Sequence, residues 1–296
     1  MTEIYLHNPG HSGDILHTLE IAKILINSNP TYVFKLVPAS CKCLYNNLIS
    51  TNVEIIQHNC IWDSKNTKNV LIQSDIITNL HDVLFHYENN KLYINLWKVL
   101  VHNNNNCINL QGRTIFIKNT INEINYKYNL NIQFTCDNDK QLIPKLPDIN
   151  IDKTENYLKS LNKKFIFFYN LTSNSGFDKH TNTNINDKVI RKLLSEIDDN
   201  TTLIIAKKTD IQNDKIICIE TDLNNPLSND GENLLVNEKI SRLCNEIYFK
   251  INGGSLFILN SVNINNEQNF FLINSKNWYN ILKESYHLKN LYVYTI

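Results

Sequence analysis

The chain has 296 residues, of which 42% are hydrophobic and 20% are charged, and its formal net charge is zero. The length favours two domains of roughly 150 residues each, and the composition is typical of a globular protein. No window reaches the roughly 18 consecutive apolar residues of a membrane span. The dispersed Lys and Arg residues lack the basic footprint of a dedicated nucleic-acid-binding protein.

The N-terminal segment, MTEIYLHNPG, has no basic leader followed by an apolar stretch. We therefore expect no secretion signal and a cytoplasmic location. The seven cysteines are odd in number and scattered along the chain, which favours reduced thiols over disulfides. The abundance of asparagine, isoleucine, lysine and tyrosine is typical of an AT-rich genome.

The first half of the chain alternates short apolar segments with amphipathic ones. EIYLH predicts a strand, and residues 14–28 predict a helix with one apolar stripe: Ile15, Leu19, Ala22 and Ile26. Further predicted strands are TYVFKLV, VEIIQ, VLIQ, VLFHY and LYINLW. A short helix is predicted over residues 41–49, and GRTIFIKNTINEINYKY predicts the last long helix of this half.

Residues 137–152 contain two prolines with several acids and amides, and they form the best linker candidate. We therefore predict domains over residues 1–145 and 146–296. Beyond the linker the alternation restarts. The predicted strands are KFIFFYN, TTLIIAK, KIICIE, EIYFK and NFFLIN, and the predicted helices lie near 153–162, 185–196, 233–244 and after Asn277.

This alternation predicts the α/β fold class, with parallel sheets covered by helices. Two such halves give two doubly wound, Rossmann-like domains facing a cleft. Ligands of these folds bind at the carboxyl ends of the strands, so we expect the functional loops there. An alternative for the last helix is that it packs back on the first domain.

The loop HNPGHSGDI joins the first predicted strand to the first predicted helix. Gly10 and Gly13 permit a close backbone approach, and Asp14 stands near the start of the helix, where the helix dipole favours an acid. The spacing is G-x-x-G, so the G-x-G-x-x-G fingerprint of dinucleotide-binding proteins is absent. The residues alone leave two interpretations open: Asp14 caps the helix, or it faces a ligand.

GHSGDILHTLEIAKIL resembles the G-D-x-x-x-T-L segment of the ADP-heptose:lipopolysaccharide heptosyltransferase family and its GT-B glycosyltransferase relatives. The resemblance implies that Asp14 is the general base for the acceptor hydroxyl. Thr18 and Leu19 match the T-L pair, whereas Glu20 stands where the family usually has proline. The resemblance also implies that the surrounding loop lies on the acceptor side, and a histidine there could assist proton transfer. The residues of this predicted acceptor-side loop are Gly10, His11, Gly13 and His17.

Two loops of the second half are candidate anion sites. NLTSNSGFDKH offers hydroxyls and a lysine that suit a diphosphate: Thr172, Ser173, Ser175 and Lys179. The NGGS turn offers amides and one hydroxyl: Asn252, Gly253, Gly254 and Ser255. The alternatives are a solvated polar loop and a tight turn without a ligand. The resemblance implies that Ser173 and Lys179 contact the donor phosphates and that Glu220 or Asp222 accepts a hydrogen bond from the nucleotide ribose.

Two further segments partly match metal-binding motifs. CKC at 41–43 with HNC at 58–60 departs from the usual zinc spacing, and DND at 137–139 is typical of a solvated acidic turn. We therefore predict neither a metal nor a cofactor.

The function predicted from the sequence is a metal-independent, inverting glycosyltransferase. It uses a nucleotide sugar as donor and a glycan, lipid or protein hydroxyl as acceptor. The alternative is a catalytically inactive GT-B-like binding or assembly protein. A nucleotide-dependent epimerase or dehydrogenase is disfavoured by the absent fingerprint.

Overall fold

The computed structural model describes residues 2–10, 12–56, 69–72, 75–78, 83–101, 112–171, 182–226, 231–259, 268–286 and 288–296. The chain divides into two compact units, Met1–Lys145 and Leu146–Ile296. We call them the first and the second unit. Each contains a sheet built mainly or wholly of parallel strands, so the protein is a mixed α/β protein with parallel sheets.

The described elements of the first unit alternate much as the sequence predicts. Its strands are β1 (Glu3–Asn8), β2 (Val33–Pro38), β3 (Val53–Ile55), β4 (Asn69–Ile72), β5 (Asp75–Thr78), β6 (Phe85–Glu88) and β7 (Lys91–Asn95). Its α-helices are α1 (Ser12–Ser28), α2 (Leu96–Val101) and α3 (Arg113–Tyr128), and its 3-10 helices are Lys42–Leu48 and Asp139–Leu142.

The main sheet of the first unit has the order β3-β2-β1-β7-β6. Strand β1 is central and parallel to both β2 and β7, while β6 is antiparallel to β7. Strands β4 and β5 form a separate antiparallel pair. The predicted apolar stripe of α1 is buried, which confirms that this face of the helix belongs to the core.

The described elements of the second unit begin with a helix. Its α-helices are α4 (Asp152–Ser160), α5 (Asn182–Glu196), α6 (Glu232–Ser241) and α7 (Lys276–Ser285), with a 3-10 helix at Ser255–Phe257. Its strands are β8 (Lys164–Tyr169), β9 (Thr201–Ile205), β10 (Ile216–Cys218), β11 (Glu246–Phe249), β12 (Asn269–Ile273) and β13 (Leu291–Tyr294).

All strands described in the second sheet are parallel, in the order β10-β9-β8-β11-β12-β13. Counted from β8 this is 3-2-1-4-5-6, the order of a doubly wound sheet. The core joins β8 and β9 to α5 through Phe168, Leu203, Val189 and Leu193. Because the winding reverses between β8 and β11, the carboxyl ends of these two strands flank a topological switch point.

Part of the predicted linker packs on the first unit. The Asp139 carboxylate accepts from the backbone N–H groups of Gly112 (2.7 Å) and Thr114 (2.8 Å), and so caps α3. Leu142 is fully buried. The acidic turn predicted at 137–139 therefore holds a helix N-terminus through Asp139, in place of the solvated role that its composition suggests.

Candidate functional site

The loop that contains Asp14 follows the central strand of the first sheet. Strand β1 has β2 on one side and β7 on the other, and His7 of β1 is in register with Asn95 at the end of β7. The chain passes from β1 to β2 through α1, and β7 lies on the opposite side. The start of α1 therefore lies at a topological switch point, where ligands of doubly wound sheets bind.

Asn8, the last residue of β1, organises this loop. Its Oδ1 accepts from the Gly10 N–H at 2.8 Å, while its Nδ2 donates to the Asp14 carbonyl at 3.2 Å and to the Thr18 Oγ1 at 2.8 Å. The side chain is buried. One amide thus fixes the end of the strand, the turn and the first two turns of the helix relative to one another.

Asp14 lies in the first turn of α1 and is partly exposed. Its side chain covers Gly10: a Cβ on Gly10 would lie 2.5 Å from the Asp14 Cβ and 2.8 Å from its Oδ2. Glycine is therefore required at position 10, because a Cβ there would lie too close to the Asp14 side chain. The carboxylate lies in the first turn of α1, at the helix N-terminus.

Thr18 and Leu19, the T-L pair, are buried beneath the loop. The Thr18 hydroxyl donates to the Ile15 carbonyl at 2.9 Å, so the Tyr45 hydroxyl is the donor in its 3.2 Å contact with Thr18. Burial raises the pKa of Tyr45, which keeps this donor protonated. The threonine of the motif therefore has a structural role.

The histidines described around the loop belong to the core. His17 is 0% exposed, and burial, with the positive charge of Arg113, lowers its pKa to about 3. His17 is therefore neutral at neutral pH and shielded from solvent. His7 is buried as well, Gly13 is buried in α1, and His11 lies outside the described residues.

Glu20, which stands at the family's proline position, is a buried acid with two partners. It accepts from the Lys145 backbone N–H at 2.8 Å and from the Lys23 ammonium at 2.7 Å. The glutamate therefore ties α1 to the last residue of the first unit.

At the switch point of the second unit, amide side chains link three neighbouring strand ends. Asn170, after β8, exchanges two 2.7 Å hydrogen bonds with the backbone of Lys207, after β9. The Asn170 carbonyl accepts from the Asn186 Nδ2 at 2.8 Å, and the Asn186 Oδ1 accepts from the Lys250 ammonium at 2.8 Å. The sequence interpretation missed Asn170, Asn186 and Lys250. Two of these residues had a signal in the sequence. Asn170 and Lys250 are polar residues that directly follow an apolar strand, in FFYN and IYFK.

The NGGS turn is held by its own side chains. The Asn252 Oδ1 accepts from the Ser255 N–H at 2.9 Å, and the Ser255 hydroxyl donates to the Asn252 carbonyl at 2.9 Å. The Asn252 Nδ2 donates to the Leu171 carbonyl at 3.0 Å, which joins the turn to the end of β8. Ser255 is 0% exposed. Its hydroxyl bonds within the turn, and anion binding by Ser255 stays a prediction.

Gly254 is required by packing inside the second unit. A Cβ at this position would overlap the hydroxyl of Tyr169 and would lie 3.3 Å from the Leu234 Cδ2. Gly253 beside it is partly exposed. Packing therefore explains the glycine at position 254. The backbone of Gly253 is partly exposed, and anion binding by its amide stays a prediction.

The remaining predicted donor residues separate into two groups. Glu220 follows β10, is partly exposed, and accepts from the Lys208 N–H at 2.9 Å. Its carboxylate therefore stabilises the segment after β9. The other group lies outside the described residues: Thr172, Ser173, Ser175 and Lys179.

A cavity of about 390 Å³ opens at the opposite edge of the second sheet. It lies at the amino ends of β8, β9 and β11, and its lining includes Lys164, Glu196, Asp198, Glu246 and Tyr248. Ligands of doubly wound sheets bind at the carboxyl ends, so this cavity does not coincide with the predicted site.

Two features are absent from the part of the chain that the structure describes. No group of three or more His, Cys, Asp or Glu side chains is arranged there to hold a metal ion. No described helix has both the length and the apolar character needed to cross a membrane.

The chain is distantly similar to solved glycosyltransferase structures. One is a glycosyl transferase family 9 structure from Veillonella parvula DSM 2008, with 9% identity and a TM-score of 0.46, covering 100% of this chain and 85% of that one. E. coli heptosyltransferase WaaC with ADP has 12% identity and a TM-score of 0.40, covering 100% and 91%. E. coli ADP-heptose lps heptosyltransferase II has 10% identity and a TM-score of 0.42, covering 100% and 90%. No protein-family model and no curated protein matches the sequence.

Proposed function

We propose that this protein is a glycosyltransferase that moves a sugar from a nucleotide-sugar donor to an acceptor hydroxyl. One observation carries the proposal: Asp14 lies at the switch point of the first sheet, partly exposed, on a loop held by Asn8 and Gly10. The same residue is the acid of the G-D-x-x-x-T-L segment that resembles the heptosyltransferase family. Position and motif thus select the same carboxylate.

In the proposed reaction the Asp14 carboxylate takes the proton of the acceptor hydroxyl. The acceptor oxygen forms a bond to the anomeric carbon while the bond from that carbon to the donor diphosphate breaks. A single displacement of this kind inverts the anomeric configuration. Amide N–H groups and lysine side chains of the second unit stabilise the leaving diphosphate, so the proposal requires no metal ion.

The test replaces Asp14 by asparagine, which preserves the shape of the side chain and removes its basicity. Labelled UDP-, GDP- and ADP-sugars are supplied with extracted lipids, glycans and proteins as acceptors, and incorporated label is measured. We expect Asp14→Asn to lower transfer by about a hundredfold or more and to leave nucleotide binding nearly unchanged. Asp137→Asn, at an exposed position of the same unit, is the matched control. Transfer by Asp14→Asn at the wild-type rate would remove Asp14 from the mechanism.

A second candidate function is a non-catalytic binding or assembly protein that keeps the same fold. The buried Ser255 hydroxyl and the packing of Gly254 on Tyr169 favour it, because both features give the NGGS turn a structural purpose. Calorimetry of the wild-type chain against the same nucleotide sugars discriminates the two functions. Binding without transfer to any acceptor, or no binding at all, favours the second candidate.

A further inference from the structure

We propose that Asn8 and Tyr45 are positioning residues for the sugar transfer, because together they hold the turn and the helix start that carry Asp14. This inference rests on the proposed function and adds to it two residues that lie outside the G-D-x-x-x-T-L segment. Both side chains are buried, with 1% of Asn8 and 2% of Tyr45 exposed. The sequence pattern selects neither of them.

The hydroxyl of Thr18 determines which way the Asn8 amide faces. This hydroxyl has one proton, which it donates to the Ile15 carbonyl at 2.9 Å. Toward Asn8 and Tyr45 the Thr18 Oγ1 is therefore an acceptor, at 2.8 Å from the Asn8 Nδ2 and 3.2 Å from the Tyr45 hydroxyl. Because the Nδ2 faces Thr18, the Asn8 Oδ1 faces the Gly10 N–H and accepts from it.

The orientation of the Asn8 amide fixes the backbone on both sides of the loop. Its Oδ1 holds the Gly10 N–H at 2.8 Å, and its Nδ2 also holds the Asp14 carbonyl at 3.2 Å. The Asp14 side chain packs directly against Gly10. A shift of the turn or of the helix start therefore moves the Asp14 carboxylate, and a displacement of about 1 Å at a reacting group can cost roughly a hundredfold in rate.

Tyr45 connects this loop to an element that is distant in sequence. It belongs to the 3-10 helix Lys42–Leu48 and lies 27 positions after Thr18. Its hydroxyl is one of the two donors described on the Thr18 oxygen, so its loss leaves that buried acceptor weaker satisfied and less firmly fixed. The 3-10 helix thus supports the Asp14 loop through a single hydroxyl.

The experiment measures sugar transfer with the labelled donors and determines kcat and KM separately. Asn8→Asp keeps the shape of the side chain but places an acceptor against the Asp14 carbonyl and the Thr18 oxygen, so kcat should fall by about ten- to a hundredfold. Tyr45→Phe keeps the ring and removes the hydroxyl, so kcat should fall by about three- to tenfold. The KM for the donor should stay near the wild-type value in both variants, because the change lies at the general base.

Two matched controls separate positioning from stability. Asn29, just beyond the other end of α1, is a buried amide with the same pattern of bonds: it donates to the Leu25 and Gln133 carbonyls and accepts from the Gln133 N–H. Asn29→Asp should therefore destabilise the same unit and leave kcat per folded molecule unchanged. Tyr5→Phe removes the hydroxyl of another buried tyrosine, which donates to Glu3, and should also leave kcat unchanged. Thermal unfolding monitored by circular dichroism gives the folded fraction of each variant.

A second measurement tests the hold on the loop without sugar transfer. The chain has seven glycines, so nitrogen-15 labelling at glycine gives few amide signals, and the signal of Gly10 is assigned by its absence in Gly10→Ala. Solvent exchange of the Gly10 amide reports its hydrogen bond to the Asn8 Oδ1. Asn8→Ala should speed this exchange by about tenfold, Tyr45→Phe should speed it less, and Asn29→Asp should leave it unchanged.

The outcomes separate this inference from the proposed function. Wild-type kcat in both Asn8→Asp and Tyr45→Phe overturns the positioning role and leaves the proposed function, which is tested by Asp14→Asn, standing. An equal loss of kcat in Asn29→Asp and Tyr5→Phe also overturns it, because the loss then follows stability. If the wild type transfers no sugar, the proposed function and the positioning role in it are both overturned, and faster Gly10 exchange in Asn8→Ala and Tyr45→Phe then supports only the hold on the loop.

Discussion

The side chain of Asn8 connects the residues of the G-D-x-x-x-T-L segment through hydrogen bonds. Its side chain accepts a hydrogen bond from the Gly10 N–H and donates to the Asp14 carbonyl and to the Thr18 hydroxyl. Thr18 in turn is fixed by the Tyr45 hydroxyl. The glycine, the acid and the threonine of the motif are thereby connected through a single buried amide. A buried network of this kind keeps its geometry because each lost partner leaves a polar group unsatisfied.

Gly10→Ala is predicted to impair catalysis through Asp14. The new Cβ would lie 2.5 Å from the Asp14 Cβ and 2.9 Å from the Asn8 Oδ1, so one of these side chains must move. A displacement of about 1 Å at a reacting group can cost roughly a hundredfold in rate. We expect sugar transfer to fall by about ten- to a hundredfold, measured with the labelled donors described above.

Gly112→Ala is the matched control for this substitution. No atom lies within 4 Å of a Cβ at Gly112, but its φ of +74° is strained for alanine. It should lower the free energy of unfolding by about 1–2 kcal/mol and leave transfer per folded molecule unchanged. If both alanine variants lost transfer in proportion to their stability, the argument for Gly10 would be wrong.

The acid of the candidate site could be predicted from sequence, and its surroundings could not. Asp14 stands next to a glycine at a helix start, and these are local signals. The contacts of Asn8 include a residue ten positions away, and the hydrogen bond between Lys250 and Asn186 joins residues 64 positions apart. The burial of the Ser255 hydroxyl could not be predicted either, because a hydroxyl in a turn looks the same in sequence whether it faces a ligand or its own backbone.

At the scale of elements, α1 carries a buried histidine that couples the stability of the first unit to pH. In the folded state the pKa of His17 is about 3, whereas an unfolded histidine has its ordinary value near 6.5. Below the unfolded value only the unfolded chain takes up this proton. The contribution of the neutral ring is therefore fully present above about pH 6.5 and is lost as the pH falls toward 3.

The free energy of unfolding is predicted to fall by about 2 kcal/mol between pH 7 and pH 5 through His17 alone. Urea unfolding at several pH values measures it, and His17→Gln should remove this part of the pH dependence. His86→Gln, at an exposed strand position, is the control and should preserve it. A wild-type profile that is matched by His17→Gln over this range would contradict the assignment.

The helices and strands that could be predicted are those with a periodic apolar pattern. Helices α1, α3 and α5 were placed to within a few residues because each is long and buries one face. Strand β13 was missed: LYVY is short, and its place at the edge of the sheet depends on pairing with β12. The pairing of β4 with β5 was missed for the same reason, since pairing is a long-range property.

At the scale of the whole molecule, the same strand arrangement occurs in both units. Each unit has a central parallel strand with neighbours added first on one side and then on the other. In the first unit Asp14 lies near the switch point, and in the second Asn170 and Lys250 directly follow the two strands that flank it.

The two units are predicted to fold independently when the chain is divided after Lys145. Each has its own sheet and its own buried core. Fragments 1–145 and 146–296, produced separately, should each unfold cooperatively in urea.

The position of the cut decides whether the first fragment is stable. A fragment that ends at residue 136 loses the Asp139 carboxylate that caps α3, the buried Leu142 and the hydrogen bond from Lys145 to Glu20. The cap and the leucine are each worth about 1–3 kcal/mol, so fragment 1–136 should be less stable than fragment 1–145 by several kcal/mol. Equal urea midpoints for the two fragments would show that residues 137–145 behave as the linker that their composition suggests. The predicted difference would instead assign them to the first unit, because their buried contacts outweigh their polar composition.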